Sequence, residues 1–239
     1  MTLRLTVLCL TIILLCIAND ADEALSESAA LTEANETAKA LFLQGRYMEA
    51  EPHAKEALRL AKEEVGPDHP GTALILENLA MIYNRQAREE EAELLFRRSL
   101  AIREKALGPE HPDVAESLSK LGSIYFYQGR HAEAEPLLQR SLAIREKALG
   151  PEHPDIAASL STLGLVYLHQ GRYAEAEPLF QRAVAIREKT LGPEHPDVAK
   201  SLHNLASVHI KQGRYVEAEP QLHRSLAIAE KSLGPKHPD

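Results

Sequence analysis

The chain repeats itself with a strict period. Gly-Pro-Xaa-His-Pro, with Asp, Glu or Lys in the third place, begins at Gly66, Gly108, Gly150, Gly192 and Gly234, always 42 residues apart. A second mark falls between these: Gln-Gly-Arg begins at Gln44, Gln128, Gln170 and Gln212, and Gln-Ala-Arg at Gln86, on the same 42-residue spacing. A fixed period of this size describes an array of one supersecondary unit, so the length of 239 residues says little about domain count.

Each unit has two breakers and therefore two segments. From Pro112 to Gln128 the apolar residues Val114, Leu118, Leu121, Ile124 and Tyr125 recur at spacings of three and four, the stripe of an amphipathic helix. From about His131 to Leu149 a second stripe runs through Ala134, Leu137, Leu138, Leu142 and Leu149. With 5% aromatics, no Trp and few β-branched runs, the composition favours helix throughout. The unit reads as a helical hairpin, too small to bury its apolar faces alone and stabilised by stacking on its neighbours.

The repeated phrases are punctuation. Arg145 and Lys147 suit the negative end of the second helix, Gly150 a left-handed C-terminal cap, and Pro151 a stop. His111 is the expected N-cap of the next first helix, with Pro112 at its first position and Asp113 at its positive end. Gly129, Gly171 and Gly213 close turns where a residue with a Cβ would be strained at positive φ, so the turn at Ala87 is expected to be less favourable or differently shaped. Pro52, Pro136, Pro178 and Pro220 fall inside the second helices, which are therefore expected to start late or kink.

Residues 1–21 differ in kind. Arg4 precedes an apolar run from Leu5 to Ala18, the layout of a secretory signal peptide, with Ala18 and Ala21 as candidate cut sites. Fourteen apolar residues from Leu5 to Ala18 would span only about 21 Å as a helix, short of a bilayer core, so cleavage is expected rather than a membrane anchor. The expected location is the secretory pathway, periplasmic or extracellular; without a functional signal the chain would stay cytoplasmic. Both cysteines, Cys9 and Cys16, lie in this run, which leaves the mature chain without disulfides or thiolate metal ligands. The units are then 22–65, weakly matched, followed by 66–107, 108–149, 150–191 and 192–233, with 234–239 the truncated start of another.

The pattern L..LG..Y..QGR..EAE.L..RSLAI resembles a tetratricopeptide repeat, and the 42-residue spacing with the REKALGPEHPDVA linker resembles the repeats of kinesin light chains. The resemblance implies an all-α fold, an α-solenoid in which stacked hairpins form a right-handed superhelix. It also implies a protein-interaction scaffold whose first helices line a concave, peptide-binding groove. Kinesin light chains carry a coiled coil before their repeats; here a signal-like segment precedes them, and a motor subunit is not the expected role.

Comparison of the units at Gly108 and Gly150 locates the variation. Of 42 positions, 12 differ, and five of these (Glu116/Ala158, Lys120/Thr162, Ser123/Leu165, Phe126/Leu168, Tyr127/His169) share one face of the first helix. The packing residues Leu118, Leu121 and Tyr125 recur unchanged as Leu160, Leu163 and Tyr167. The candidate peptide-binding residues are therefore Asn35 and Lys39; Asn78, Met81 and Arg85; Lys120, Ser123 and Tyr127; Thr162, Leu165 and His169; and Lys200, His203, Asn204, Ser207 and Lys211. In grooves of the resembled family an Asn amide often holds the ligand backbone, the role expected of Asn78 and Asn204. Lys39, Arg85, Lys120, Lys200 and Lys211 point to an acidic peptide or one ending in a free carboxylate. Glu36, Glu77 and Glu116 lie close by and offset part of that field.

Other chemistry is set aside. The net charge of -8 and the lack of a basic run argue against nucleic acid. The histidines at His69, His111, His153, His195 and His237 stand a repeat apart, on the order of 10 Å or more, too far to share one ion. No phosphate loop, nucleophile elbow, HExxH or CxxC occurs, so neither an enzyme nor a cofactor is expected. The competing readings are a self-associating array, in which the second helix of the last unit, Arg214 to Leu233, pairs with another molecule, or a fragment of a longer array.

Overall fold

A computed structural model describes residues 28–233. Among these residues it contains ten α-helices and no strand: α1 Ala29–Leu43, α2 Tyr47–Glu64, α3 Pro70–Arg85, α4 Glu89–Leu107, α5 Pro112–Tyr127, α6 His131–Leu149, α7 Pro154–His169, α8 Tyr173–Leu191, α9 Pro196–Lys211 and α10 Tyr215–Leu233. The expected hairpins are all present, and the fold is an all-α solenoid. The signal-like segment and residues 234–239 lie outside the described residues. The helices divide into two compact units, with the division inside α4 between Ile102 and Arg103.

The punctuation works largely as the sequence implies. His69, His111, His153 and His195 cap α3, α5, α7 and α9, each Nδ1 accepting the backbone N–H two residues on, at 3.1–3.3 Å. Each ring is thereby used at a helix start. Gly150 and Gly192 have φ of 86° and 89° but ψ of 155° and 154°, so they are not left-handed helical caps. They occupy the extended positive-φ region that is open essentially to glycine alone, which turns the chain away more sharply.

The internal prolines do not delay the second helices. Those helices begin at Tyr47, His131, Tyr173 and Tyr215, five residues before Pro52, Pro136, Pro178 and Pro220. In α6 the first turn is already anchored, because Glu133 N and Ala134 N both donate to Arg130 O. One hydrogen bond is lost at each proline, and because the prolines are exposed the released carbonyl can be solvated.

In unit 1, α2 packs against α1 and α3, and α1 also touches α3. Its buried side chains include Leu31, Leu58, Leu76, Leu79 and Phe96. In unit 2 the pairs α5–α6, α7–α8 and α9–α10 form hairpins, while α6 packs on α7 and α8 on α9. Ile156, Ala157, Leu160, Ala183 and Ile186 make one core layer, and Val184, Val198, Ala199, Leu202 and Ile228 make another. Complete burial of a side chain such as Leu160 stabilises by about 1.5–3 kcal/mol. Close approach within hairpins depends on Gly122 and Gly164: a Cβ there would lie 2.8 Å from Leu138 and Phe180 respectively.

Candidate functional site: the wall of first helices

The first helices form a wall in each unit. α1 touches α3 in unit 1; α5 touches α7 and α7 touches α9 in unit 2. Their apolar stripes face the second helices, so the variable stripe is left on the free side.

In unit 1 the structure joins two of the candidates directly, Asn78 Nδ2 donating to Asn35 Oδ1 at 3.0 Å. Beside them lies a hollow of about 300 Å³, walled by Ala38, Phe42, Leu43, Met81 and Ile82 with Lys39 and Asn78 as its polar groups. Lys39 pairs with Glu36 at 2.8 Å in its own helix. Arg85 is exposed at the end of α3.

In unit 2, Lys120, Thr162 and Asn204 occupy equivalent positions on α5, α7 and α9 and are partly exposed. Lys120 pairs with Glu116 at 2.6 Å, Thr162 Oγ1 donates to Ala158 O at 3.1 Å, and Ser207 Oγ donates to His203 O at 2.9 Å. Lys200 pairs with Asp197 at 2.9 Å. Lys200, His203 and Asn204 share a hollow of about 450 Å³ with Ala199, Ser225 and Ala229. Ser123 and Leu165 are half-buried, Tyr127 is 84% exposed and Lys211 is exposed.

Three of the five cations expected to make the wall basic are thus met by a carboxylate of their own helix. Burial pushes the Glu116 carboxyl upward, but the Lys120 hydrogen bond and nearby cations outweigh it and leave it below its usual range. The Lys200 hydrogen bond likewise lowers Asp197. Arg85 and Lys211 have no carboxylate partner among the described residues.

An aromatic group stands at the turn end of unit 2; Phe126, Tyr127 and His169 lie on the variable face read from the sequence, and His131 was missed. The His169 ring lies 5.2 Å from Phe126 and 5.3 Å from His131, and Phe126 lies 5.4 Å from Tyr127. His131 Nδ1 is buried without a hydrogen-bond partner, and burial, then the proximity of His169, lowers the pKa of His131. The available signal was that His131 stands where Tyr47, Tyr173 and Tyr215 stand in other units.

The Glu-Ala-Glu triplets also have a role beyond helix starts. In unit 2 the third residue reaches the turn arginine of the next repeat, Glu135 to Arg172 and Glu177 to Arg214, both at 2.6 Å. The first residue holds the arginine of its own turn, as Glu175 does Arg172 at 2.6 Å. Arg130 and Arg172 also lie over Tyr125 and Tyr167, 4.1 and 4.2 Å from the ring centroids. Unit 1 repeats the clamp with Glu51, Arg88 and Tyr83. His209, in place of this tyrosine, is buried between Glu177 Oε1 at 3.2 Å and Gln221 Oε1 at 3.1 Å. It is a core variant. Among the described residues no cluster of three or more His, Cys, Asp or Glu could hold a metal ion, and no helix is long and apolar enough to cross a membrane.

These repeated clamps and hairpins have counterparts in known proteins. The tetratricopeptide repeat family model matches residues 27–105, 95–147, 113–189 and 155–231. The nearly identical TPR-like repeats of a kinesin light chain-like protein from Podosopora anserina are 31% identical, over 87% of this chain and 100% of that one, with a TM-score of 0.75. BtubC from P. vanneervenii shares the fold at 22% identity and a TM-score of 0.75, over 92% of this chain and 94% of that one. MamA from Desulfovibrio magneticus shares it at 17% identity and a TM-score of 0.64, over 87% and 99%. No curated protein matches the chain. Tetratricopeptide repeats are generally protein-interaction scaffolds, and their kinesin light chain-like neighbours are typically non-enzymatic. With family matches running from residue 27 to 231 and hairpins in the same register, this chain belongs to the tetratricopeptide repeat family, in its kinesin light chain-like form.

Proposed function

We propose that the walls of first helices bind an extended segment of a partner protein, acidic or ending in a free carboxylate. The observation that carries this reading is the hollow of unit 1. Apolar Phe42, Leu43, Met81 and Ile82 offer burial there, and Lys39 with Asn78 offers a cation and an amide at its side. An apolar recess with a few polar groups suits a side chain while fixing the direction of the backbone. The Asn78 amide already gives one hydrogen to Asn35, leaving its second donor and its carbonyl for a ligand peptide bond. Arg85 and Lys211, without carboxylate partners among the described residues, supply attraction beyond the paired lysines.

The reading includes export, on the strength of Arg4 and the apolar run after it. N-terminal sequencing of the secreted protein is expected to begin after Ala18 or Ala21; an intact Met1 would place its work in the cytoplasm. For the groove, affinity capture from the extracytoplasmic fraction is compared between the natural chain and the double variant Lys120→Glu, Lys200→Glu. The variant is expected to lose the captured partner with its circular dichroism unchanged. Equal capture by both would remove the groove from the account.

A further inference from the structure

At the turn end of unit 2 the start of α6 meets the end of α7. The positions that meet there are filled by an aromatic and a cation at the other internal junctions, Tyr47 with Arg85 in unit 1 and Tyr173 with Lys211 in unit 2. Between α6 and α7 the same two positions hold His131 and His169. Their ring centres lie 5.3 Å apart, and Phe126 of α5 packs against both, at 5.4 and 5.2 Å. Two imidazoles from consecutive hairpins are thus held side by side against a third ring.

Their separation fits a shared metal ion. An ion about 2.0–2.1 Å from one nitrogen of each ring stands roughly 3.1–3.2 Å from each ring centre, which puts the centres about 5 Å apart at a tetrahedral angle and about 4.5 Å apart at a right angle. The observed 5.3 Å matches the tetrahedral arrangement of zinc(II) better than the square-planar one of copper(II) or nickel(II). His131 Nδ1 is buried without a hydrogen-bond partner, and coordination gives it the partner it lacks. Burial, then the proximity of His169, lowers the pKa of His131, so its ring is neutral and able to ligate at neutral pH. His169 is exposed and can turn about its Cβ–Cγ bond to present a nitrogen to the same point.

The acidic side chains at the start of α6 are engaged by arginines, Glu133 by Arg130 and Glu135 by Arg172, both at 2.6 Å. The chain therefore offers two ligands here. We propose that His131 and His169 together hold one zinc(II) ion between consecutive hairpins, with its remaining positions open to water or to a carboxylate of a partner. The partner's share in this rests on the groove reading: His169 stands at the repeat position of Arg85 and Lys211 on the first helices, and a bound dication there adds charge of the sign an acidic segment seeks.

The test is a calorimetric titration of zinc chloride into the full chain, without an added histidine tag and with no partner present. A step of one ion per chain is expected, and zinc at about ten times its Kd should raise the thermal midpoint by about 3 °C. His131→Tyr and His169→Lys place at this junction the residues of the next one, so each should keep the circular dichroism of the natural chain while weakening that step at least about tenfold. In the natural chain, the imidazole proton resonances of His131 and His169 are expected to move together as zinc is added. No zinc step would overturn the proposal, as would an affinity equal in the natural chain and both variants, or resonance shifts confined to other histidines. Because the titration contains no partner, its failure leaves the groove to the capture experiment, and a failure of that capture leaves the zinc site standing.

Discussion

At the turn edge of unit 2, Glu135 reaches Arg172 and Glu177 reaches Arg214, each from one repeat to the next; on the first-helix wall, Lys120 reaches Glu116 and Lys200 reaches Asp197, each inside one helix. Both regions pair a carboxylate with a cation, Glu with Arg at the turn edge and Glu or Asp with Lys on the wall. In the first, a side chain can change only if its partner in another repeat changes too, and Glu135, Glu177, Arg172 and Arg214 repeat without variation. In the second, each partner is local, and Lys120, Thr162 and Asn204 differ at one repeat position. Polar groups tied between hairpins specify the scaffold, whereas those tied within a helix are free to specify a ligand.

The largest effect is expected at a clamp. Glu177→Ala removes the inter-repeat acceptor of Arg214, which keeps Glu217 and Gln212 of its own turn, and one of the two neighbours of the buried His209. The loss of stability should be about 2–3 kcal/mol, since charged groups at a part-buried site lose their compensation. Urea unfolding measures it. A loss below about 0.5 kcal/mol would put this clamp with ordinary surface pairs and remove the distinction between the two regions.

A smaller effect is expected from pH at the equivalent clamp of unit 1. The Lys55 hydrogen bond, against the opposing effect of burial and with help from Arg88 and Gln86, holds the Glu51 carboxyl at about 2. In the unfolded chain the same group titrates near ~4.3. The folded value is the lower one, so its stabilisation is complete above the unfolded value and disappears as the pH falls from there toward 2. Glu51→Gln should cost on the order of 1 kcal/mol at neutral pH and flatten the stability profile across that acid window. Parallel acid profiles for the two proteins would show that the carboxylate carries no such stabilisation.

The turns give a third, milder test. Gly45, Gly129, Gly171 and Gly213 have φ of 74–76°, and Ala87 is held at 60° in the equivalent turn, the only non-glycine at positive φ among the described residues. Ala87→Gly removes that strain and should stabilise by about 0.5–1 kcal/mol, after the entropy lost by the more flexible unfolded chain is allowed for. A destabilised variant would mean that the alanine methyl makes a compensating contact.

Much of this was legible in the sequence because the period supplies its own controls. The hairpins, the histidine caps and the strain at Ala87 follow from marks that recur every 42 residues. The clamps were harder to see: Glu177 and Arg214 are 37 residues apart, and an acidic residue near a helix start has a sufficient local reason to be there. The offset to the basic character of the wall was legible at Glu36 and Glu116 but not at Asp197. Lys120 and Lys200 are cations in the sequence, but their helices place Glu116 and Asp197 within reach. The internal prolines misled because the first turn is anchored before the proline is reached.

The smallest expected effect bears most directly on the comparison. Thr162 is partly exposed, and its hydroxyl donates only to Ala158 O, a carbonyl already in the helix. Such a back-bond contributes little and competes slightly with the helix itself. Thr162→Lys introduces the residue that α5 carries at the same position, but Ala158 stands where Glu116 would pair with it. The new ammonium should therefore project into solvent with a stability change within about 0.5 kcal/mol, while capture of an acidic partner strengthens. The double variant Ala158→Glu, Thr162→Lys restores the local pair and should return capture toward its original level at the same stability. If Thr162→Lys alone lowered stability by as much as Glu177→Ala, this position would be holding the hairpins together, and variation along the wall would no longer mark a ligand surface.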